Sequence, residues 1–415
     1  MNVRVFVIAA GFLLCFGACS SSSSGSDVPG VPDIPVVDAL DVPSVDVPPT
    51  DVTVPAKQLT FLTFNAGLAF GFVDAADLRQ PLIGPAVAAR AADVVCLEEV
   101  WTQASADAIL AATNDVYPYH YLEVTDGGGD GSGAAACTTE DVAPLKTCVD
   151  ANCAGVAPAD LATCALGNCG DEFGALPSDC STCIAANIGK SIDDILTTCT
   201  TASGGSYAYE GRNGLLLLSR FPMSGTGFVK FDSYLNVRVA LHAVIAPTGL
   251  DPVDVFCTHL TADLAPDVKY AGTYASWGEE QGAQATALVA WIGENAPAVG
   301  RTAAVLLGDM NSGPDLPPSI QGVHVENYAT FRNAGYADPF AEAAAPVCSW
   351  CADNPLVRDG NSEIIDHVLL VRTPDASTAT PAREFTDPVI LQTVAGPVTS
   401  RLSDHYGVSV RLEWP

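Results

Sequence analysis

Six polar positions or pairs stand where a short apolar run ends. Asn65 follows Thr60–Phe64, Glu98 and Glu99 follow Val94–Leu97, and His259 follows Val255–Thr258. Asp309 and Asn311 follow Val305–Gly308, Asp366 and His367 follow Ile364–Ile365, and Asp404 and His405 lie inside Leu402–Val408. One polar residue at the end of a strand is ordinarily a satisfied cap. Six such ends in one chain form a different pattern. Their oxygen-rich groups suit a hard cation such as Mg2+, and two histidines suit proton transfer and phosphate contact.

The elements that must carry these groups are short. Leu59–Phe64, Asp93–Leu97, Leu215–Leu218, Val237–Ile245, Val253–Cys257, Ala303–Leu307, Ile364–Leu370 and Val408–Leu412 read as strands, bounded by Gly, Pro and Asp. Ile83–Arg90, Ser105–Ala112 and Glu279–Ile292 read as helices. Many strands and few helices predict an α+β sandwich, two sheets with helices outside.

In chain order, Thr63-Phe64-Asn65, Leu97-Glu98-Glu99-Val100, Thr258-His259-Leu260, Gly308-Asp309-Met310-Asn311, Ile365-Asp366-His367 and Ser403-Asp404-His405-Tyr406-Gly407-Val408 resemble the motifs of the endonuclease/exonuclease/phosphatase superfamily, the deoxyribonuclease-like and sphingomyelinase-like group. The resemblance covers residues 58–415 apart from a cysteine-rich stretch. It implies a four-layered α/β sandwich of two central mixed sheets flanked by helices, and metal-dependent attack of water on a phosphoester. It makes Glu99 the main metal ligand, with Asn65 beside it and Asp404 as a further ligand, for Mg2+ or alternatively Mn2+ or Ca2+. Asp309 then orients or deprotonates the water, and Asn311 hydrogen-bonds the phosphoryl oxygens. His405 contacts phosphate or moves a proton, with Asp366 fixing its tautomer, and His259 faces the phosphate or the leaving oxygen. Asn213, beside Arg212, resembles a position near the substrate. The family usually has Gln before its glutamate. Glu98 stands there in this chain, as a second anionic ligand or facing solvent.

Residues 134–206 interrupt the pattern with eight cysteines, spaced Cys-x10-Cys-x4-Cys and recurring every sixteen residues. With Ala and Leu between them, they predict an inserted helical subdomain stapled by disulfides, whose pairing the sequence leaves open. The body is thus residues 56–133 and 207–415. Cys96 and Cys257 are buried thiols or a pair, and Cys348-Ser-Trp-Cys351 reads as a loop-stiffening disulfide near the site. His120 and His242 read as structural strand residues and His324 as a surface loop residue.

At the N-terminus, Arg4 and the apolar Val5–Phe16 read as a secretory signal over residues 1–18, too short to span a bilayer. Phe16-Gly17-Ala18-Cys19 resembles a bacterial lipobox, which makes Cys19 the lipidated first residue of an exported, envelope-anchored protein, on the outer membrane in a Gram-negative source. Residues 19–55, rich in Pro, Val, Asp and Ser, read as a tether reaching up to ~110 Å.

The formal net charge is −30, and the body outside signal, tether and insertion carries 33 acids against 15 bases. Arg212 and Arg220 flank one strand and Arg401 precedes the last motif, enough for one phosphate and thin for a polynucleotide. The expected substrate is a phosphodiester, a lipid headgroup or nucleic acid, and no protein partner is expected. The alternative from another class is a non-catalytic surface protein that presents the cysteine-rich insertion.

Overall fold

The computed structural model describes residues 57–125, 134–156, 161–201, 207–265, 268–394 and 396–415. The signal, the lipobox with Cys19, and all of the tether up to residue 55 lie outside the described residues. In chain order come β1 (Lys57–Asn65), α1 (Ala76–Arg90), β2 (Val94–Glu98), α2 (Gln103–Thr113) and β3 (Tyr119–Tyr121). Four helices follow: α3 (Thr139–Asn152), α4 (Leu161–Gly174), α5 (Ser178–Ala186) and α6 (Ile192–Thr201). The chain then forms β4 (Leu216–Ser219), β5 (Met223–Lys230), β6 (Val239–Ile245), β7 (Val253–His259), α7 (Trp277–Asn295), β8 (Ala304–Asp309) and α8 (Val325–Asn333). It closes with β9 (Asp366–Arg372), β10 (Thr378–Glu384), β11 (Val389–Thr393), β12 (Gly396–Ser400) and β13 (Gly407–Trp414). No described helix is long and apolar enough to cross a membrane.

A strand that is apolar on both faces must be covered on both. In β1, Leu59 and Phe61 turn to one side and Leu62 and Phe64 to the other, and all four are buried. The first set packs with Leu241, Val255, Val305 and Val368 of the opposite sheet, and the second with Ile83 and Val87 of α1 and Ile109 of α2. On the far side, Phe256 and Leu306 pack against Leu288 and Ile292 of α7 and Phe331 of α8. The result is four layers, helix, sheet, sheet, helix, as the sequence predicts. One sheet runs β10-β13-β1-β2-β4-β3 and the other β5-β6-β7-β8-β9, with β11-β12 a separate hairpin. Each sheet has one parallel pair, β1 with β2 and β7 with β8. Cys96 of β2 and Cys257 of β7 form a disulfide between the sheets.

The strands that the sequence pattern misses are β5, β10, β11 and β12, and β3 is read only through His120. β5 and β10 are edge strands and β12 one arm of a hairpin, so polar and small residues suffice there, while the apolar run of β11 is only Val389–Leu391. α1 begins at Ala76, ahead of the expected Ile83, with Pro81 and Pro85 inside it.

The eight cysteines between β3 and β4 form four disulfides: Cys137–Cys180, Cys148–Cys169, Cys153–Cys164 and Cys183–Cys199. The first three are nested around one midpoint, the connection between α3 and α4. Cys148–Cys169 and Cys153–Cys164 tie α3 and its C-cap to α4 as an antiparallel pair, and Cys137–Cys180 ties the residue before the α3 cap to α5. The backbone N–H of Cys137 donates to the Cys199 carbonyl at 3.0 Å, so the two ends of the helical region meet.

Candidate active site

Strand register brings the predicted residues to one end of the sandwich. β1 and β2 run parallel and place Asn65 opposite Glu98, and β7 and β8 run parallel and place His259 opposite Asp309. β9 runs against β8 and starts at Asp366, opposite Asp309. Asp404 and His405 arrive just before β13, which pairs with β1. Two residues here have left-handed backbones, Glu99 at φ 58° and Asn311 at φ 49°, uncommon for any residue but glycine.

Asp309 is at the centre. Its Oδ2 accepts from Asn65 Nδ2 at 2.9 Å, and lies 3.5 Å from His259 Nε2 and 3.9 Å from His405 Nε2. Its Oδ1 accepts from the Asn311 N–H at 2.8 Å. Burial, and after it the Asp366 charge, pushes the Asp309 carboxyl up to about 7. His405 Nδ1 meets Asp366 Oδ2 at 2.9 Å. Burial works against the His405 charge, but Asp366, Asp309 and Asp404 outweigh it and hold the imidazolium well above the ordinary histidine range. His259 goes the other way: burial, with Arg238 and His405 as nearby cations, lowers it well below that range. Two histidines around one carboxylate are therefore in different states near neutral pH, one neutral and one charged.

Glu99 Oε1 accepts from Asn65 Nδ2 at 3.2 Å, while Glu99 Oε2 and Asp366 Oδ1 are enclosed with no hydrogen-bond partner. An enclosed carboxylate oxygen needs a proton or a cation, and a hard divalent ion meets that need. Asp404 raises the Glu99 pKa through space, second only to burial. Asp309, Asp366 and His405 also bring ligand atoms within 4.8 Å of one another, although the His405–Asp366 contact is already a hydrogen bond. The donor set fits a hard divalent cation. The Asn65 Oδ1 accepts from the Gly67 N–H at 2.9 Å, so in this arrangement the amide nitrogen links the two carboxylates. Turning the amide over would present the oxygen instead.

Glu98 does neither of the two things expected of it. The alternation of β2 puts it beside Cys96 on the inter-sheet face, wholly buried. Thr63 Oγ1 donates to its Oε1 at 2.6 Å, and burial raises its carboxyl well above the usual range, so it is a neutral acid. His367 also points away from the centre, with Nδ1 2.7 Å from Asp338 Oδ2 and Nε2 donating to the Ser312 carbonyl at 2.9 Å. Asn213 turns inward as well. Its Nδ2 donates to the Glu123 carbonyl at 2.7 Å and its Oδ1 accepts from the Leu215 N–H, so its amide is taken up by the scaffold, where a substrate contact was expected. Arg212 donates to Gln103 at the start of α2 and stays half-exposed. Arg220 pairs with Asp93, at the end of β2 away from Glu99, and so leaves the phosphate. Arg401 donates to the Thr386 carbonyl.

The cation that does reach the centre is Arg238, just before β6, which the sequence reading passed over. It is buried beneath the Trp101 ring at 5.7 Å, with Nε and Nη1 unpartnered. Burial lowers it to about 10 against the pull of Glu99 and Asp309. Its place at the mouth of an apolar strand is its one trace in the sequence, and that does not separate an inward cation from a surface one. The first turns of α7 brace the same centre. Gln281 Nε2 donates to the Thr261 and Asn311 carbonyls, and Glu280 accepts from Thr261 Oγ1. The Cys348–Cys351 disulfide loop borders the site, with Trp350 4.9 Å from the His405 ring and Ser349 Oγ accepting from the Asp366 N–H. The helical insertion reaches the rim: Ile188 abuts Gly71 beyond Asn65, and Thr182 bonds Tyr234.

Among solved structures, sphingomyelinase C from Streptomyces griseocarneus is similar, at TM-score 0.51 and 18% identity, over 86% of this chain and 99% of that one. A beta toxin from Staphylococcus aureus with bound magnesium ions is similar at TM-score 0.50 and 14% identity, over 85% and 99%. At these identities the likeness is one of fold. No match was found among curated proteins. Residues 62–405, most of the chain, five of the six motifs and the sixth as far as His405, match the Endonuclease/Exonuclease/phosphatase family. The chain belongs to the endonuclease/exonuclease/phosphatase family.

Proposed function

We infer that this phosphoric ester hydrolase is a phosphodiesterase that acts on an extracellular phosphodiester by attack of water on phosphorus. One observation supports it above the rest: the Asp309 carboxylate stands between a neutral His259 and a charged His405, all three buried at one sheet end. A base at about 7 is well matched to taking a proton from water near neutral pH. Asp309 holds and deprotonates the water. Asn311, beside it, offers hydrogen bonds to the phosphoryl oxygens as charge builds there. His405, kept cationic by Asp366, meets the negative phosphate and gives up a proton toward the leaving oxygen. His259, neutral, orients toward the same oxygens, and Arg238 adds a fixed positive charge behind them. Glu99 would be the main ligand of a divalent cation, with Asn65 and Asp404 beside it. Bound there, the cation supplies charge neutralisation and orientation for the phosphate.

The acidic body, 33 acids against 15 bases, supports a lipid headgroup or a small diester over a polynucleotide. Six disulfides support an oxidising compartment, in keeping with export and an anchor at Cys19. The test is a panel of sphingomyelin, phosphatidylcholine, plasmid DNA, RNA and bis(p-nitrophenyl) phosphate, with Mg2+ or with EDTA, beside His405→Ala. Metal-dependent turnover of one class, absent in the variant, is the expected result. A folded, metal-loaded chain inert on every substrate would overturn the reading in favour of a binding role.

A further inference from the structure

Arg79 heads the largest wholly buried side chains among the described residues, and neither its charge nor its neighbours in sequence mark it. It rises from α1. Its Nε donates to the Asp74 carbonyl at 3.0 Å, its Nη1 to the carbonyls of Ala66 at 3.2 Å and Leu402 at 2.9 Å, and its Nη2 to that of Gly67. Every partner is a backbone carbonyl. A buried guanidinium so placed has its hydrogen bonds satisfied and its charge balanced only through space. The charges nearest in effect are Asp404 and then Glu99.

The carbonyls are not scattered. Ala66 and Gly67 follow Asn65 directly, and Leu402 lies two residues before Asp404. The two loops touch at this point. Gly67 has φ +55°, and a Cβ on it would lie 2.4 Å from Asp404 Oδ1 and 2.6 Å from Ser403 Oγ. Only glycine fits both the turn and the contact.

We propose that Arg79 is a positioning residue for the metal centre, a clip that fixes the loop after Asn65 against the loop before Asp404 and offsets the repulsion between Glu99 and Asp404. The proposal rests on reading those residues as holding a divalent cation. Arginine is suited to it because a planar fork reaches several carbonyls in one plane. A lysine keeps the charge and loses the fork.

The test uses the full disulfide-bonded chain, stripped with EDTA and titrated with Mg2+. Binding is read from the rise in Tm, which needs no activity, and from the Mg2+ required for half-maximal hydrolysis of bis(p-nitrophenyl) phosphate. Arg79→Lys is expected to need about 10- to 100-fold more Mg2+ by both readouts, with the rate at saturating Mg2+ within about threefold of wild type. Gly67→Ala keeps the guanidinium and wedges the same loops apart, its Cβ 2.4 Å from Asp404 Oδ1 and 3.3 Å from Arg79 Nη1, and should shift binding in the same direction. It decides the matter if the Arg79 variant fails to fold. Wild-type Mg2+ affinity in Arg79→Lys, whatever its Tm in EDTA, reduces Arg79 to a packing residue and overturns the proposal, as does wild-type affinity in Gly67→Ala. A wild-type chain with no Mg2+-dependent shift overturns it too. A clear shift in a chain that hydrolyses nothing would undo the phosphodiesterase reading and leave the clip standing.

Discussion

Among the described residues the body is held by three large apolar clusters, a fourth shared with Ala185 of α5, and one buried inter-sheet disulfide, whereas the helical region between β3 and β4 has one small core and four disulfides. Six of the thirteen buried residues in that small core are themselves cysteines, so the bridges are much of the packing. In the body, branched side chains buried on both faces of each sheet set strand register, and register places the chemistry. In the insertion, covalent bonds stand in for an interior that so short a segment cannot build. Function therefore lies on the part whose geometry comes from packing, and the stapled part leans on its rim.

The largest effect expected on the packed side is chemical. Asp309→Asn should lower kcat by about 10³-fold while leaving Tm unchanged or higher, since it removes a buried carboxyl that burial disfavours. Steady-state rates beside calorimetric melting check this, and a matching fall in stability would mean that the site and the framework are not separable. On the stapled side the effect is local. Replacing Cys137 and Cys180 by Ser should cost the insertion about 4 kcal/mol, and replacing the inner pair Cys153 and Cys164 about 3, because the outer bridge closes the longer loop. Hydrogen exchange should show α3 and α4 opening while the β1 and β8 amides keep their protection. Loss of protection in the sheets would break the contrast.

A third prediction concerns pH. Holding a cation beside Asp309 and Glu99 requires both to give up protons that burial favours, so affinity for Mg2+ should rise with pH up to about 7 and level off above it. Calorimetric titration at several pH values measures this. An affinity that is flat with pH would mean that the carboxylates are ionised before metal arrives. The smallest effect is expected at Glu98. A neutral acid beside Thr63 and a disulfide differs little from an amide, so Glu98→Gln should change stability by no more than about 1 kcal/mol and leave turnover intact. A large loss of activity would give Glu98 the direct role at the centre that its burial argues against.

The six motifs were legible because each adjoins a short apolar run; that they share one edge is the work of the pairing, which sets Asn65, Glu98, His259 and Asp309 at the C-terminal ends of parallel pairs and Asp366 at the start of an antiparallel strand. Glu99, Asp309 and His405 could be read this way without knowing a single contact. Arg79 and Arg238 could not. A cation in a sequence signals a surface, and only contacts across the fold, to Leu402 in one case and to Trp101 in the other, turn it inward. Asn213 differs in the opposite sense, since its motif resembles a place near the substrate while its amide is held by the Glu123 carbonyl. The disulfide map was closed to sequence because spacing does not order pairings. Part of it becomes readable once α3 and α4 are seen as an antiparallel pair, for then Cys148–Cys169 and Cys153–Cys164 must share a midpoint.

The hydrogen bond from Cys137 to Cys199 has a consequence for how such a chain tolerates change. β3 and β4 are antiparallel neighbours, with Tyr121 opposite Leu217, so a hairpin turn of a few residues would join them. The helical region occupies that turn's place, and its two ends come back to within a single hydrogen bond of each other. To the sheet it is in effect a short connection, because the described helices of the excursion bring its ends back together. A module attached in this way can be enlarged, exchanged or lost without moving the strands that carry the candidate site residues.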